Sequence, residues 1–250
     1  MVDPLVLVED LVVKYGDFVA VNKVSFTVEK GEVYCLLGPN GAGKTSTIWT
    51  LVGLIKPASG NVRVLGGDPW KDIWVRNRFG YVPEDIVLFE SMTPREHILF
   101  AASLRKMGRE YEEWINELIE IFGFAQYLDK PFFSLSRGNR QKLAIILALM
   151  HKPELLVLDE PFLGLDYESS MVLREIIKSW PSNGGVLMST HILEIAEKLC
   201  SRVGVIYRGR LVFEDLVDNV RKRFTQGEAF AELLAELSTR ESKVPGFEKE

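Results

Sequence analysis

The sequence predicts an α/β fold with a mostly parallel central sheet, a small antiparallel β-subdomain and an inserted α-helical subdomain. Apolar strand-like segments alternate with helical segments over residues 155–213, a pattern typical of a parallel sheet. Residues 5–28 have the composition of short β-strands separated by turns. Residues 93–150 are helical in pattern and lie between these two groups of strands.

The composition is that of an ordinary folded protein, with one main domain that carries an elaboration. The chain has 250 residues, 47% apolar and 26% charged, so it can bury a large core. The net charge of −5 provides no basic excess, and we expect no nucleic-acid partner. Cys35 and Cys200 show no metal-ligand spacing, and we expect both to be buried.

Neither a membrane span nor a targeting segment is recognisable. The longest apolar run, Leu143 to Met150, is far shorter than the roughly 20 residues that cross a bilayer. Met1 to Glu9 lacks the basic flank and apolar core of a signal peptide. We therefore expect a cytoplasmic protein.

The N-terminal third is expected to form strands. Residues 5–8, 18–21 and 24–28 carry β-branched or alternating apolar residues and are predicted to form the small antiparallel sheet. A buried strand over residues 32–37 then leads through a glycine-rich turn into a helix over residues 45–54. Short strands follow at residues 61–65 and 79–82.

The helical subdomain is predicted over about residues 86–150. Thr93-Pro94-Arg95-Glu96 forms a capping box with proline at the first helical position, which predicts a helix to about Met107. Two further helices are expected at about 110–122 and 139–150.

Strand and helix then alternate to the end of the main domain. Strands are expected at residues 155–158, 186–189, 203–207 and 211–213, and helices at 168–180 and 193–199. Residues 1–220 are predicted to form the main domain and 221–250 a short helical tail, with an amphipathic candidate at 229–237.

A phosphate-binding loop lies between the strand at 32–37 and the following helix. Residues 38–45 read Gly-Pro-Asn-Gly-Ala-Gly-Lys-Thr and match G-x-x-x-x-G-K-T. Glycines let backbone N–H groups surround phosphate oxygens, and the helix presents its positive end to the same anion. Lys44 is predicted to reach the β- and γ-phosphates, and the Thr45 hydroxyl to ligate Mg²⁺. The nucleotide contacts are expected from Gly38, Pro39, Asn40, Gly41, Ala42, Gly43, Lys44, Thr45 and Ser46.

Two carboxylates follow a fully apolar strand. The segment Leu155-Leu156-Val157-Leu158 ends in Asp159-Glu160, where an open α/β sheet places its ligands. Asp159 is predicted to hold Mg²⁺ through water, and Glu160 to polarise the attacking water. The sequence therefore predicts a P-loop NTPase core, although a phosphate loop alone does not decide between kinases, GTPases and motors.

The segment at 135–142 makes the family recognisable. It reads Leu-Ser-Arg-Gly-Asn-Arg-Gln-Lys and resembles the signature of ATP-binding cassette (ABC) ATPases, L-S-G-G-Q followed by x-Q-[RK]. Only Arg137 and Asn139 depart from that pattern. Arg137 adds positive charge beside an anion, which should not weaken phosphate binding.

The other landmarks of the family follow in the same order. The resemblance covers about residues 4–215 and makes Tyr15 the adenine-stacking aromatic, Asp166 part of the D-loop and His191 the histidine that contacts the γ-phosphate. Glu84 stands where the family usually has a glutamine. A carboxylate only accepts hydrogen bonds, so it keeps water-linked metal ligation and loses donor contacts.

The resemblance implies an ATPase subunit that powers transport by separate membrane permease subunits, peripheral on the inner face of the cell membrane. The sequence around Glu84 is similar to the exporter branch for drugs, lipids and polysaccharides, which favours export. The chain is expected to close around two ATP molecules with a second copy or a paralogous subunit, so that Ser136 and Gly138 bind ATP held by the other copy. The membrane partner is expected at about residues 86–130, with Glu84 at the hinge. Apolar residues there such as Phe89 or Met92 could contact it, although such residues more often serve loop packing than docking.

Two other functions share part of this pattern. A non-transport ABC ATPase acting on nucleic acid or ribosomes shares every catalytic motif, but such proteins usually carry two cassettes, a long coiled coil or a basic insertion. A small-molecule kinase explains the phosphate loop and leaves residues 135–142 unexplained.

Overall fold

The computed structural model describes residues 3–225 of the chain. These residues form nine strands and eight α-helices. The strands are β1 (Val6–Tyr15), β2 (Phe18–Val28), β3 (Val33–Leu37), β4 (Ser59–Val64), β5 (Phe79–Val82), β6 (Leu155–Asp159), β7 (Gly185–Thr190), β8 (Arg202–Tyr207) and β9 (Arg210–Leu216). The helices are α1 (Lys44–Leu51), α2 (Ile73–Arg76), α3 (Pro94–Leu104), α4 (Glu112–Ile121), α5 (Arg137–Leu149), α6 (Tyr167–Ser179), α7 (Leu193–Leu199) and α8 (Val217–Thr225).

The main sheet is mostly parallel, as predicted. Its six strands lie in the order β5-β6-β7-β3-β8-β9, and only β8 and β9 pair antiparallel. Strands β3, β6 and β7 are buried along their whole length, which explains their nearly continuous apolar sequences. Because these strands are parallel, their carboxyl ends meet at one edge of the sheet.

The small antiparallel sheet is present, but its strands differ from the prediction. Residues 18–28 form one continuous strand, and the third strand is β4, in the order β2-β1-β4. The prediction divided β2 near Lys23, where φ is +53° and the pairing with β1 changes register. A β-bulge allows the strand to continue through this irregularity. The first strand was likewise predicted to end at residue 8, just before Asp10, which also has a positive φ at a change of register. Strand β1 continues through this irregularity to Tyr15.

The helical subdomain contains the three predicted helices. Thr93 and Glu96 form the capping box: the Glu96 N–H donates to the Thr93 hydroxyl at 3.2 Å, and the Thr93 N–H donates to the Glu96 carboxylate at 2.7 Å. Helix α3 ends at Leu104, earlier than predicted. The short helix α2 and helix α8 were not predicted.

The C-terminal part of the chain is only partly described. The predicted boundary between residues 220 and 221 lies within α8, and the division into domain and tail stays a prediction. The amphipathic candidate at 229–237 lies outside the described residues. Within residues 3–225, no helix is long and apolar enough to span a bilayer.

The main sheet separates two apolar cores. One lies between the sheet and the helices of its helical face, including α5, α6 and α7. The other lies between the sheet, α1 and the small antiparallel sheet. Cys35 and Cys200 are both buried as free thiols, as expected.

Arg202 joins several strands at the end of the sheet away from the predicted site. Its guanidinium donates to the Glu32 carboxylate at 2.7 and 3.1 Å, to the carbonyl of Thr27 at 2.6 Å and to Glu214 at 3.1 Å. It also lies 4.9 Å from the ring centre of Tyr34. Arg202 therefore connects β8 and β9 to the segment that leads from the small sheet into β3.

We predict that Arg202→Met lowers the free energy of unfolding by about 2–4 kcal/mol, because it leaves the largely buried Glu32 carboxylate without its cation. Urea denaturation followed by circular dichroism measures the change. Arg95→Met is the matched control, since Arg95 also donates two hydrogen bonds to a carboxylate, that of Asp129, but both of these side chains are exposed. That variant should change stability little, and equal losses in the two variants would contradict this interpretation.

Candidate active site

The phosphate loop lies against two neighbouring segments that leave no room for side chains. A Cβ at Gly38 would clash with the carbonyl of Ile206 on β8. A Cβ at Gly43 would lie 2.6 Å from the carbonyl of Ala20 on β2, and Gly43 also has a φ of +106°. Glycine is therefore required at Gly38 by contact, and at Gly43 by both contact and backbone conformation.

Lys44 is the first residue of α1, and its side chain returns over the loop. Its ammonium donates to the carbonyls of Gly38 at 2.8 Å and Pro39 at 3.2 Å. It also lies 3.4 Å from the Glu160 carboxylate, and both side chains are nearly buried. The loop and the end of β6 are thus joined by an ion pair.

Asp159 ends β6 with one carboxylate oxygen bonded and the other without a partner. The Ser189 hydroxyl, on the neighbouring strand β7, donates to Oδ1 at 2.5 Å. The Oδ2 atom is buried and accepts no hydrogen bond. Burial raises the pKa of Asp159, hydroxyl contacts from Ser189 and Thr45 oppose that rise, and the charge of Glu84 adds to it.

Glu160 has a left-handed backbone with φ of +46°, which is uncommon for a residue other than glycine. Its N–H donates to the Ser189 hydroxyl at 3.0 Å, which helps to fix this turn. Its Oε1 contacts both Lys44 and His191, the latter through Nδ1 at 3.0 Å. Because a carboxylate only accepts, Nδ1 must carry the proton in this contact.

The signature begins helix α5 and is anchored to the turn that follows Glu160. The buried Gln141 amide donates to the carbonyl of Pro161 at 3.0 Å. Gly138 packs so closely on Gly164 that a Cβ would lie 2.6 Å from the Gly164 carbonyl. The helix is therefore fixed directly to the segment that carries the catalytic candidate.

Lys142 makes a further connection, to the D-loop. Its ammonium lies 2.8 Å from Asp166, whose carboxylate also accepts the Ser169 N–H at 2.8 Å and so caps α6. The Lys142 hydrogen bond, followed by those from Ser169, holds the pKa of Asp166 well below its ordinary value. Asp166 is therefore a charged structural link between α5 and α6 in this chain.

The structure brings one group of predicted residues together. Lys44 and His191 each contact Glu160. Thr45 and Asp159 are their neighbours in the sequence and lie close to each other. Glu84 is exposed and follows β5, whose Val82 pairs with Leu158 of β6, so it lies near the same edge.

The remaining predicted residues lie around this group or apart from it. Tyr15 is 42% exposed, and its hydroxyl lies 3.3 Å from that of Ser46 on α1; the adenine contact stays a prediction. Ser136 caps α5 by accepting the Asn139 N–H at 3.3 Å and is exposed. Among the described contacts, none joins Ser136 or Gly138 to the phosphate loop of the same chain.

Sequence reasoning missed the importance of Ser189, which supports both carboxylates from the adjacent strand. The strand containing Ser189 was predicted, but its position beside β6 follows only from the sheet order. Gln141 was matched to the family pattern, and its bond to Pro161 could not be read from the sequence.

The comparisons with known proteins all point to one family. The family model described as "ABC transporter" matches residues 21–163. The chain is 37% identical to the bacitracin transport ATP-binding protein BcrA of Bacillus licheniformis, covering 86% of this chain and 70% of that protein. It is 38% identical to the Nod factor export ATP-binding protein I of Sinorhizobium fredii, covering 80% of this chain and 59% of that protein.

A solved structure described as the ATP-binding subunit of an ABC transporter superposes with a TM-score of 0.86 at 34% identity, covering 94% of this chain and 99% of that one. Fold, motifs and sequence therefore agree. The chain belongs to the ABC transporter family and is one of its ATP-binding, ATP-hydrolysing subunits.

Proposed function

We propose that this chain drives export through separate membrane permease subunits, by hydrolysing ATP with Glu160 in a closed dimer of ATPase subunits. The proposal rests above all on Glu160, a nearly buried carboxylate placed by Lys44 on one side and His191 on the other. The direction of transport is supported by the resemblance around Glu84 and by the similarity to a protein named for Nod factor export. The working location is the inner face of the membrane that holds the permease.

Glu160 has the geometry of a group that polarises water. Its described contacts with Lys44 and His191 both use Oε1, which leaves Oε2 to accept a proton from an attacking water. Ser189 fixes the backbone N–H of the same residue, so the carboxylate is oriented from both ends. The remaining ring nitrogen of His191, Nε2, is the group that we assign to the γ-phosphate; because phosphate oxygens only accept, this contact requires a proton on both ring nitrogens.

Mg²⁺ fits the oxygen atoms beside Glu160. The partnerless Oδ2 of Asp159 and the Thr45 hydroxyl are hard oxygen donors of the kind that Mg²⁺ prefers, and Glu84 adds a carboxylate nearby. When bound, the cation would neutralise charge on the β- and γ-phosphates. In our proposal Thr45, Asp159 and Glu84 hold it, directly or through water.

The nucleotide itself is bound by residues 38–46, with the adenine on Tyr15. Ser136 and Gly138 complete the site from the other copy, which agrees with their lack of described contacts to the phosphate loop of their own chain. The second subunit is another copy of this chain or a paralogue. Asp166, held by Lys142, belongs to the same contact surface.

A groove beside β5 is the proposed docking site for the permease. It has a volume of about 210 Å³, lies between β5, α3 and α5, and is lined by residues on both sides of Glu84 in the sequence. Val87 lines the groove and is 87% exposed, and Leu104, which precedes the lining residue Arg105, is 67% exposed. Phe89 is exposed as well, whereas Met92 is half-buried. The groove is lined by Phe79, Tyr81, Pro83, Ile86, Val87, Leu88, Ala101, Arg105, Ala144, Leu147 and Ala148.

We predict that Lys44 and Tyr15 contribute to nucleotide binding in different ways. Lys44→Ala should weaken all nucleoside triphosphates alike, because it removes the charge that faces the phosphates. Tyr15→Ala should reduce ATP affinity by roughly 1–3 kcal/mol, because it removes the stacking surface. Calorimetry measures both. Tyr15→Phe is the control: it keeps the ring and loses only the contact with Ser46, and a loss equal to that of Tyr15→Ala would exclude stacking.

We predict that Glu160→Gln leaves ATP binding intact and slows hydrolysis by about 10²–10⁴-fold, because an amide has nearly the same shape and cannot take a proton from water. Phosphate release measures turnover, and Glu117→Gln on the exposed face of α4 is the control. Hydrolysis at a rate near that of the unmodified protein would contradict the role of Glu160.

With ATP and Mg²⁺ the Glu160→Gln protein should sediment as a dimer, and adding Ser136→Arg should return it to a monomer that still binds ATP.

We predict that Val87→Asp and Leu104→Asp reduce association with the permease, because each places a charge on an exposed apolar residue, Val87 in the groove and Leu104 next in sequence to its lining residue Arg105. Co-purification from membranes measures association. Leu216→Asp is the matched control, since Leu216 is similarly exposed on β9. ATP binding by the purified variants should not change. If all three variants associate equally well, the docking site lies elsewhere.

A further inference from the structure

Arg137 is an exposed cation without a partner in the part of the chain that the structure describes. It lies between Ser136 and Gly138, and its guanidinium makes no hydrogen bond or ion pair within residues 3–225. The next arginine of the helix, Arg140, is different: it donates to the carbonyls of Leu135 and Phe133 at 3.2 and 3.0 Å. Contacts within the described chain account for the position of the Arg140 guanidinium. No such contact accounts for the position of the Arg137 guanidinium.

The carbon stem of Arg137 is nevertheless fixed. It lies over Gly164, where an added Cβ would come within 3.1 Å of Cγ and 3.3 Å of Cδ. Gly164 also has a φ of +80°, so a larger residue is excluded there both by conformation and by the arginine stem. The stem is therefore seated on the D-loop, and the guanidinium projects beyond it.

The other cations of this surface are already paired. Lys142 is bound to Asp166, and Arg140 approaches Glu90 at 3.7 Å. Glu84 and Asp85 line the same cavity as Arg137, of about 250 Å³, but neither reaches it at ion-pair distance. Arg137 is thus the cation beside Ser136 that remains available to an anion from outside the chain.

We propose that Arg137 binds the γ-phosphate of ATP held by a second copy of this chain. The inference rests on the proposed closed dimer and adds a residue to it: family members with glycine at this position have no side chain to offer there. A guanidinium can donate two parallel hydrogen bonds to phosphate oxygens, a stronger and more directional contact than a hydroxyl makes.

The position of Arg137 determines which step it affects. In the single chain the guanidinium does not contact the phosphate loop, so it contributes nothing to the first binding of ATP. On closure it meets the phosphate charge of the partner's nucleotide. Arg137 therefore stabilises the ATP-bound dimer rather than the ATP-bound monomer, and it makes closure sensitive to salt.

Dimerisation of the Glu160→Gln protein tests the proposal, because this background holds ATP without turnover. Arg137→Met keeps the carbon stem on Gly164 and removes the charge. Arg137→Lys keeps a positive charge but cannot donate two parallel hydrogen bonds to phosphate. Arg63→Met removes a charge from an exposed arginine on β4 and serves as control. Sedimentation velocity with saturating ATP and Mg²⁺, at 50–500 mM NaCl, gives the dimer dissociation constant, and calorimetry gives the ATP affinity of the monomer.

Arg137→Met should weaken the dimer by about 10-fold or more at low salt, since charged hydrogen bonds to phosphate are lost at both sites. Arg137→Lys should recover part of that loss, and Arg63→Met should match its parent. The salt dependence of dimerisation should be shallower for Arg137→Met than for the parent. The ATP affinity of the monomer should be the same in all four proteins.

The possible failures are distinguishable. If the Glu160→Gln parent itself stays monomeric with ATP, the proposed closed dimer is wrong for this chain and the role of Arg137 is overturned with it. If the parent dimerises and Arg137→Met dimerises equally tightly at every salt concentration, only the role of Arg137 is overturned. A loss of ATP affinity in the Arg137→Met monomer also overturns it, because the arginine would then act within its own chain.

Discussion

The nearly buried ion pair between Lys44 and Glu160 is the contact on which the rest of the site depends. Removing two charges from water is costly, and the cost is recovered only when both charges have further partners. Lys44 also donates to two loop carbonyls, and Glu160 is bonded by His191 and fixed by Ser189. Loss of either charge would leave the other nearly buried with fewer partners, so the phosphate loop and the turn at Glu160 stabilise each other in the nucleotide-free chain.

The order of strands supplies these partners. Strand β7 lies between β3, which leads into the phosphate loop, and β6, which ends in the two carboxylates. Residues at the end of β7 can therefore contact the end of β6 as well as the phosphate loop. Ser189 and His191 lie there, and both contact the carboxylate pair at the end of β6. Parallel pairing brings all three strand ends to one edge, and the register that pairs Asp159 with Ser189 sets the distance between carboxylate and hydroxyl.

The sequence was sufficient to predict those parts of the molecule that local patterns determine. The phosphate loop has a fixed spacing, and Asp159-Glu160 follows an apolar strand, so their meeting at the sheet edge follows from a general rule. The capping box of α3 was found for the same reason. Strand β2 was divided because a bulge at Lys23 interrupts its alternation, and the role of Ser189 was missed because it depends on which strands are neighbours. The contacts of Arg202 and Gln141 involve residues distant in sequence, where no local pattern gives a signal.

The hydrogen bond from Gln141 to Pro161 has a consequence for the kinetics of the enzyme. One end of α5 carries Ser136, and a later turn of the same helix is bonded to the residue that follows Glu160. In the closed dimer that we propose, the nucleotide of one copy and the hydrolytic group of the other would thus be connected through a single helix. Occupancy of one site would then change the readiness of the second, so that the rate of hydrolysis would depend on ATP concentration with a Hill coefficient above one. Any contact that stabilises the dimer would, through helix α5, also change the rate of ATP hydrolysis at both sites.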